Sequence, residues 1–303
     1  VMALTGHDPA RVAQLGAGVP ETLRLVAAPD GPVAALDALA GAKAALARAA
    51  QAGWDLVALD EAGAMAACRA GLIARASWAV EPRTPPAAVP ERRPRHGRAD
   101  GGCALAREVR FEALAYRLED FPVSAPETAL AFFDTAAFPG VRAVAWPPRA
   151  LLEWAIMAEG VPPAQVYDIL STPRGLRLAR ARIAGVSDSI TWVQTDAEAA
   201  QMLASGAAAM AVAPASELAQ VAGTSAIVLR EGRIGARRAF VHVPRGGVMG
   251  AVDAGLAPVF AALLRRLSGG AGEGKPTLWR DAAWYARAGA HVAGEIGAPG
   301  ALR

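Results

Sequence analysis

Residues 142–160 read RAVAWPPRALLEWAIMAEG, and the order of the parts decides the fold class. The apolar run from Arg142 to Trp146 is too short for a helix and meets Pro147 and Pro148, which end extended backbone and pre-set the first turn of a helix. Leu151, Leu152, Trp154, Ala155 and Ile156 then form an apolar stripe at helical spacing that stops at Gly160, a C-terminal helix signal. A buried strand feeding directly into an apolar-faced helix is half of a βαβ unit.

The same rhythm recurs on both sides. Upstream, Val1–Leu4 reads as a short strand, LRLVAAPDG as a second, Val33–Ala52 as an alanine- and leucine-rich helix closed by Gly53, and WDLVALD (Trp54–Asp60) as a buried strand delivering Asp60 and Glu61 at its carboxyl end. Between the flanks, VRFEALAYRL alternates as a strand and PETALAFFD reads as a capped amphipathic helix. Downstream, SITWVQTDAEAAQMLASG is another strand, turn and helix, AAMAVAP and RRAFVHVP are strands, and the last helix runs around Trp279–Ala293. Strands alternating with helices predict a parallel α/β sheet with helices on its faces. The proline- and arginine-rich stretch from Glu81 to Gly102 reads as a solvated surface loop, and no internal repeat is present.

A chain of 303 residues exceeds what one hydrophobic core usually organises, so two lobes are expected. Its 53% hydrophobic content excludes a disordered chain. The net charge of +3 does not point to nucleic acid: Lys43 and Lys275 are the only lysines, asparagine is absent, and neither a basic helix stripe nor an aromatic-studded strand is present. No uncharged run is long enough to span a membrane, and no export signal opens the chain; an exported protein with its signal already removed is the expectation, a chain that never carried one the alternative.

Several blocks, in order and spacing, resemble the polyamine-type (spermidine/putrescine) periplasmic solute-binding proteins of ABC importers. They are WDLVALDEAGAMAACRAGLI (54–73), LAYRLEDFP (114–122), FFDTAAFPGVRAVAWPPRALLEWAIMAEGVPPAQVY (132–167), TWVQTDAEAAQMLASGAAAMAVAP (191–214) and FVHVPRGG (240–247). The most specific element is the FFD, FPG and following arginine, with QMLASG behind it. The resemblance covers most of residues 54–247; the first 50 fit loosely and the tail diverges. It implies the type II periplasmic-binding fold: two α/β lobes joined by two crossover strands with a ligand cleft between them. Residues 1–112 and 237–303 would form a discontinuous first lobe and 113–236 the second. It also implies a small-molecule solute and a membrane ABC permease as partners, a monomer, a periplasmic location, no catalytic activity and no cofactor or metal. The same clamp serves a ligand-sensing module, and an enzyme on this fold is a third, weaker reading. Cys68 and Cys103 sit where the family often carries cysteines, which suggests a disulfide; two unpaired thiols are the alternative.

Open α/β sheets bind ligands beyond the carboxyl ends of their strands. That rule selects Asp8, Asp60, Trp146, Trp192, Thr195, Asp196 and, after Pro214, Ser216. Polyamine-binding relatives enclose a cation with aromatic faces and carboxylates. Here Pro214-Ala215-Ser216 replaces an aromatic stretch, Pro148-Arg149-Ala150 replaces carboxylates, and Arg237 and Arg238 stand where acids precede the hinge strand. Arg149 and Arg238 therefore become candidate partners for a carboxylate or phosphate on a neutral or negatively charged solute. Against these roles stand plain structural ones: core packing for each tryptophan and helix capping for Asp196. The enzyme signals are poor. GGAGEGKP (269–276) has proline where a phosphate loop needs Ser or Thr, His7, His96, His242 and His291 are scattered, and no nucleophile elbow occurs.

Overall fold

The computed structural model describes residues 1–5, 24–28, 36–75, 102–147, 150–222, 225–244 and 275–296, with short pieces at 12–13, 16–17, 258–259 and 262–263. The expected surface loop at 81–102 lies almost wholly outside the described residues, as does the glycine-rich 269–274.

Strands β1 (Met2–Thr5), β2 (Leu25–Ala28) and β3 (Leu56–Asp60) run parallel, with α1 (Ala38–Gln51) and α2 (Glu61–Arg69) on either side of β3 in sequence. Strands β5 (Arg142–Ala145), β6 (Ile190–Val193) and β7 (Met210–Pro214) form a second parallel set. Its helices are α3 (Leu151–Ala158), α4 (Val166–Leu170), α5 (Pro173–Ala184), α6 (Asp196–Ala204) and α7 (Ala215–Ala222). Two long antiparallel strands join the sets: β4 (Ala106–Arg117) and β9 (Ile234–His242). The sheet order is β2-β1-β3-β9-β4-β7-β5-β6, with β8 (Ala226–Val228) on β4 and β10 (Leu278–Trp279) on β9. Helix α8 (Ala282–Ile296) ends the described chain. The fold is the α/β class expected, and the connection between its two parallel wings is the antiparallel pair β4/β9.

Burial follows the alternation of β4. Val109, Phe111, Ala113 and Ala115 point into one apolar core with Ala199, Leu203 and Leu218, while Leu114 and Tyr116 point into another around Phe132, Trp154, Ile156 and Ile183. A separate core under the first wing gathers Leu46, Val57, Leu59, Cys103 and Val241.

Three local expectations shift, each for a visible reason. Helix α1 starts at Ala38, not Val33, because the Asp37 carboxylate accepts from the Leu39 and Ala40 N–H groups at 3.0 Å and fixes the start there. The PETALAFFD helix is only a 3-10 turn over Ala129–Phe133. Arg142 takes the Phe132 and Asp134 carbonyls that a longer helix would have used internally. Helix α8 begins at Ala282 because Trp279 is held in β10 beside Gly235 and Asp281 accepts from the Trp284 N–H at 2.8 Å.

His242 closes β9 opposite Leu56. Burial pushes its pKa below the usual value, and nearby Asp55 only partly offsets this. Because the folded-state pKa is depressed below the unfolded value of about 6.5, the stabilisation is full above that pH and is lost as pH falls toward the folded value. Between pH 7.5 and 5.5 the wild type should therefore lose more melting temperature than His242→Gln. Equal losses would remove His242 from the pH response.

Candidate functional site

Strand β4 carries Glu108, Arg110 and Glu112 on one face with period two, all almost fully buried. Register sets Arg238 of β9 opposite Glu108, and Asp60 at the tip of β3 opposite Arg238. From the other wing, the tip of β7 brings Pro214 opposite Glu112, and the next turn of chain supplies Glu217, whose carboxylate accepts from Arg110 Nη2 at 2.8 Å. That pair is sealed, with side-chain exposures of 4% and 7%. A buried charge needs a partner to offset its desolvation, which Arg110 and Glu217 give each other. On the opposite face of β9, Arg237 lies 4.4 Å over the Trp279 ring and 3.8 Å from Glu61. The tips of β3 and β7 thus meet the charged middle of β4 and β9 from both sides.

A second polar group adjoins the first. Glu153, in the first turn of α3, has no exposed surface. The Tyr167 and Tyr285 hydroxyls donate to its Oε1 at 2.8 and 2.9 Å, and Arg280 Nε lies 3.9 Å from the same oxygen. Burial, then the Glu153 charge, pushes both phenol pKa values well up, so both tyrosines stay protonated donors. Burial works against the Arg280 charge, yet Glu153, Tyr285, Glu112 and Asp60 together hold its pKa above the ordinary value. The Glu112 and Asp60 contributions tie this group electrostatically to the β3 and β4 charges. Trp284 completes it, stacking edge-on to Tyr285 at 4.9 Å and donating through its indole N–H to Ser171 at 2.9 Å.

The residues selected from the sequence fall into five groups. Asp60 is half-buried at a strand tip and Arg238 is buried beside it in register. Trp146 and Trp192, at the ends of β5 and β6, meet edge to face at 5.0 Å, and the Trp146 N–H donates to Val193. Thr195 is engaged as the N-cap of α6, accepting from the Glu198 N–H at 3.1 Å; Asp196 is the first helical residue behind it, and Ser216 is half-buried in the first turn of α7. Asp8 and Arg149 lie outside the described residues. Cys68 and Cys103 are bridged, with Cα atoms 6.0 Å apart.

Sequence reasoning passed over Glu108, Arg110, Glu112, Glu153, Glu217 and Arg280. Two signals were readable: charge alternating with apolar residues in REVRFEA, and one acid inside the otherwise apolar LLEWAIM. With these residues counted, acidic side chains outnumber basic ones around the crossover, so the carboxylates missing at the family positions have counterparts at others. Among the described residues no group of three His, Cys, Asp or Glu could hold a metal ion, and no helix is long and apolar enough to cross a membrane.

Known proteins agree with this architecture. The chain is similar to the PBP MotA of A. tumefaciens B6, solved in complex with glucopine, at a TM-score of 0.69 and 16% identity over 97% of each chain. It is similar to the spermidine/putrescine substrate-binding protein PotD of Streptococcus pneumoniae at a TM-score of 0.52 and 12% identity, over 89% of this chain and 80% of that one. In sequence it is 31% identical over 111 residues to the gamma-aminobutyric acid-binding protein of Pseudomonas aeruginosa; the match spans 37% of this chain and only 31% of that relative. The model of the bacterial extracellular solute-binding proteins matches residues 36–265, and the chain belongs to that family.

Proposed function

We propose that this protein is the solute-binding subunit of an ABC importer, which captures a small molecule between two lobes and presents it to a membrane permease. The lobes are residues 1–112 with 237–303, and 113–236. The observation that carries the reading is the meeting of strand tips from both parallel wings over the charged middle of β4 and β9. Ligands of open α/β sheets sit beyond such tips, and two strands crossing between lobes make a hinge about which the halves can close. The protein works outside the cytoplasm as a monomer and without a cofactor; the Cys68–Cys103 bridge suits an oxidising compartment.

The solute is compact and carries at least one charge. The mixture of buried acids and arginines at the crossover supports this, as do the ligands named for the relatives: gamma-aminobutyric acid, glucopine and spermidine/putrescine. Arg110, Arg238 and Arg280 weigh against a purely cationic polyamine. Calorimetry against putrescine, spermidine, 4-aminobutyrate and a panel of small carboxylates, paired with solution scattering, tests the reading. Micromolar binding of one class with a contraction of the protein is expected. A panel, extended to opines and sugars, in which nothing binds or compacts the protein would overturn it.

A further inference from the structure

Three polar atoms in the Glu153 group have no hydrogen-bond partner among the described residues and are closed off from solvent: Glu153 Oε2, Arg280 Nε and Arg280 Nη2. Their chemistry is complementary. Nε and one Nη form the side-on edge of a guanidinium, the edge that takes a carboxylate through two parallel N–H bonds. Glu153 Oε1 already accepts from two tyrosine hydroxyls, while Oε2 accepts from nothing described. The two open sites are neighbours, since Arg280 Nε is 3.9 Å from Glu153 Oε1. That spacing exceeds a hydrogen bond, so each charge feels the other without saturating it. Buried polar groups are almost always satisfied, and a matched pair left open inside one cluster needs a third party.

The spacing differs from that of the sealed pair nearby: Arg110 and Glu217 close to hydrogen-bond distance at 2.8 Å, whereas Arg280 Nε stands 3.9 Å from Glu153. Here the phenols of Tyr167 and Tyr285 hold Glu153 in place by one oxygen, and the ordering of Trp284 and Asp281 at the start of α8 holds Arg280 from the other side. The positions are fixed while the second oxygen and the guanidinium edge stay uncommitted.

We propose that Arg280 and Glu153 are the specificity residues for a zwitterionic solute, an amino acid whose carboxylate takes the Nε/Nη2 edge of Arg280 and whose ammonium takes Glu153 Oε2. This deepens the solute-capture reading and rests on it. The closeness of the two anchors selects compact zwitterions, with the charged groups separated by one to about three carbons, and leaves no role for a second ammonium. Because the anchoring atoms are covered in the structure, the solute reaches them when the halves part and is enclosed when they close. Tyr285 belongs to α8, which also packs on α2 and lies against the first wing. Solute held at Glu153 and Arg280 therefore links α3 of the second wing with the C-terminal helix.

The test is calorimetry on the full chain with glycine, alanine, 3-aminopropionate, 4-aminobutyrate and 5-aminovalerate, and with butyrate, butylamine and putrescine as controls. At least one of the zwitterions should bind, with its single-charge analogues at least 100-fold weaker. Arg280→Gln and Glu153→Gln should each weaken zwitterion binding at least 100-fold, Arg280→Lys should recover part of the loss, and circular dichroism at the assay temperature should show the variants folded. If a variant does not fold, Tyr167→Phe, which frees one acceptor site on Glu153 without removing its charge, should change the zwitterion affinity at least threefold. Tight binding of putrescine or butyrate with no response to any zwitterion would overturn this assignment and leave the capture reading intact. Variants that lower melting temperature but bind the zwitterion as the wild type does would make the cluster a strut. No binding or compaction with any solute class would defeat both.

Discussion

Replacing Cys68 and Cys103 together with alanine is expected to lower the unfolding free energy by about 4 kcal/mol while touching no candidate solute contact. The bridge closes a sequence separation of 35 residues, and the entropy it removes from the unfolded chain grows with the logarithm of that length. Both ends are well fixed in the folded state. Cys68 lies in the last turn of α2, and Cys103 is buried beside Ala104, Val241 and Val57 at the entrance to β4. The bond therefore ties α2, the helix that follows Asp60, to the entrance of a crossover strand. Urea denaturation of oxidised protein, reduced protein and the double variant should place the oxidised midpoint well above the other two, which should nearly coincide; in melting temperature the gap should be roughly 10 °C for a chain of this size. Coincidence of all three would mean that the thiols do not pair.

What the sequence disclosed, and what it hid, follows from the range of the interactions. Each strand feeding a helix is a local pattern, so the alternation of WDLVALD with EAGAMAACR, and of RAVAW with ALLEWAIMAEG, is legible in the sequence as an α/β sheet. Helix ends were less so, because Asp37 and Asp281 compete with neighbouring residues as caps and only packing chooses between them. The pairing of β4 with β9 joins residues more than a hundred positions apart, and no local signal states it. The candidate site inherits that blindness. Asp60 and the two tryptophans could be picked from strand tips and Arg238 from its departure from the family pattern, whereas Glu153 and Arg280 come together only after α3 and the C-terminal segment have folded over the same core. For Glu153 the visible hint was its place as a lone acid in an apolar helix, since such a residue must find a buried partner.

The second large effect concerns the segment that gives the family resemblance its specificity. Arg142→Met is expected to cost about 3 to 5 kcal/mol of stability, because it leaves several buried carbonyl acceptors without a donor at roughly 1 to 3 kcal/mol each, partly relieved by relaxation. Arg142 has no exposed surface, and its guanidinium donates to four backbone carbonyls: Phe132 at 2.7 Å, Gly140 at 2.7 Å, Phe138 at 2.6 Å and Asp134 at 3.4 Å. Burial works against its charge, and Asp134 offsets part of that. Methionine would fill most of the volume but leave those acceptors without a donor. Lysine cannot present a planar fork to all four, so Arg142→Lys should recover only a minor part of the loss. Gly140 completes the arrangement: its backbone lies in the left-handed region at φ 115°, and a Cβ there would come within 2.8 Å of the Ala209 side chain. The whole FFD, FPG and arginine block is thus a knot that fastens the start of β5, while any solute lies at the other end of the strand, beyond Ala145 and Trp146. Solute affinity in the folded variant should accordingly stay within about twofold of wild type, because a loss of stability distant from the site leaves the bound geometry unchanged. Calorimetry at a temperature where Arg142→Met remains folded, run beside its urea titration, separates the two quantities. A variant that keeps its denaturation midpoint yet fails to bind would move Arg142 from the scaffold into the site.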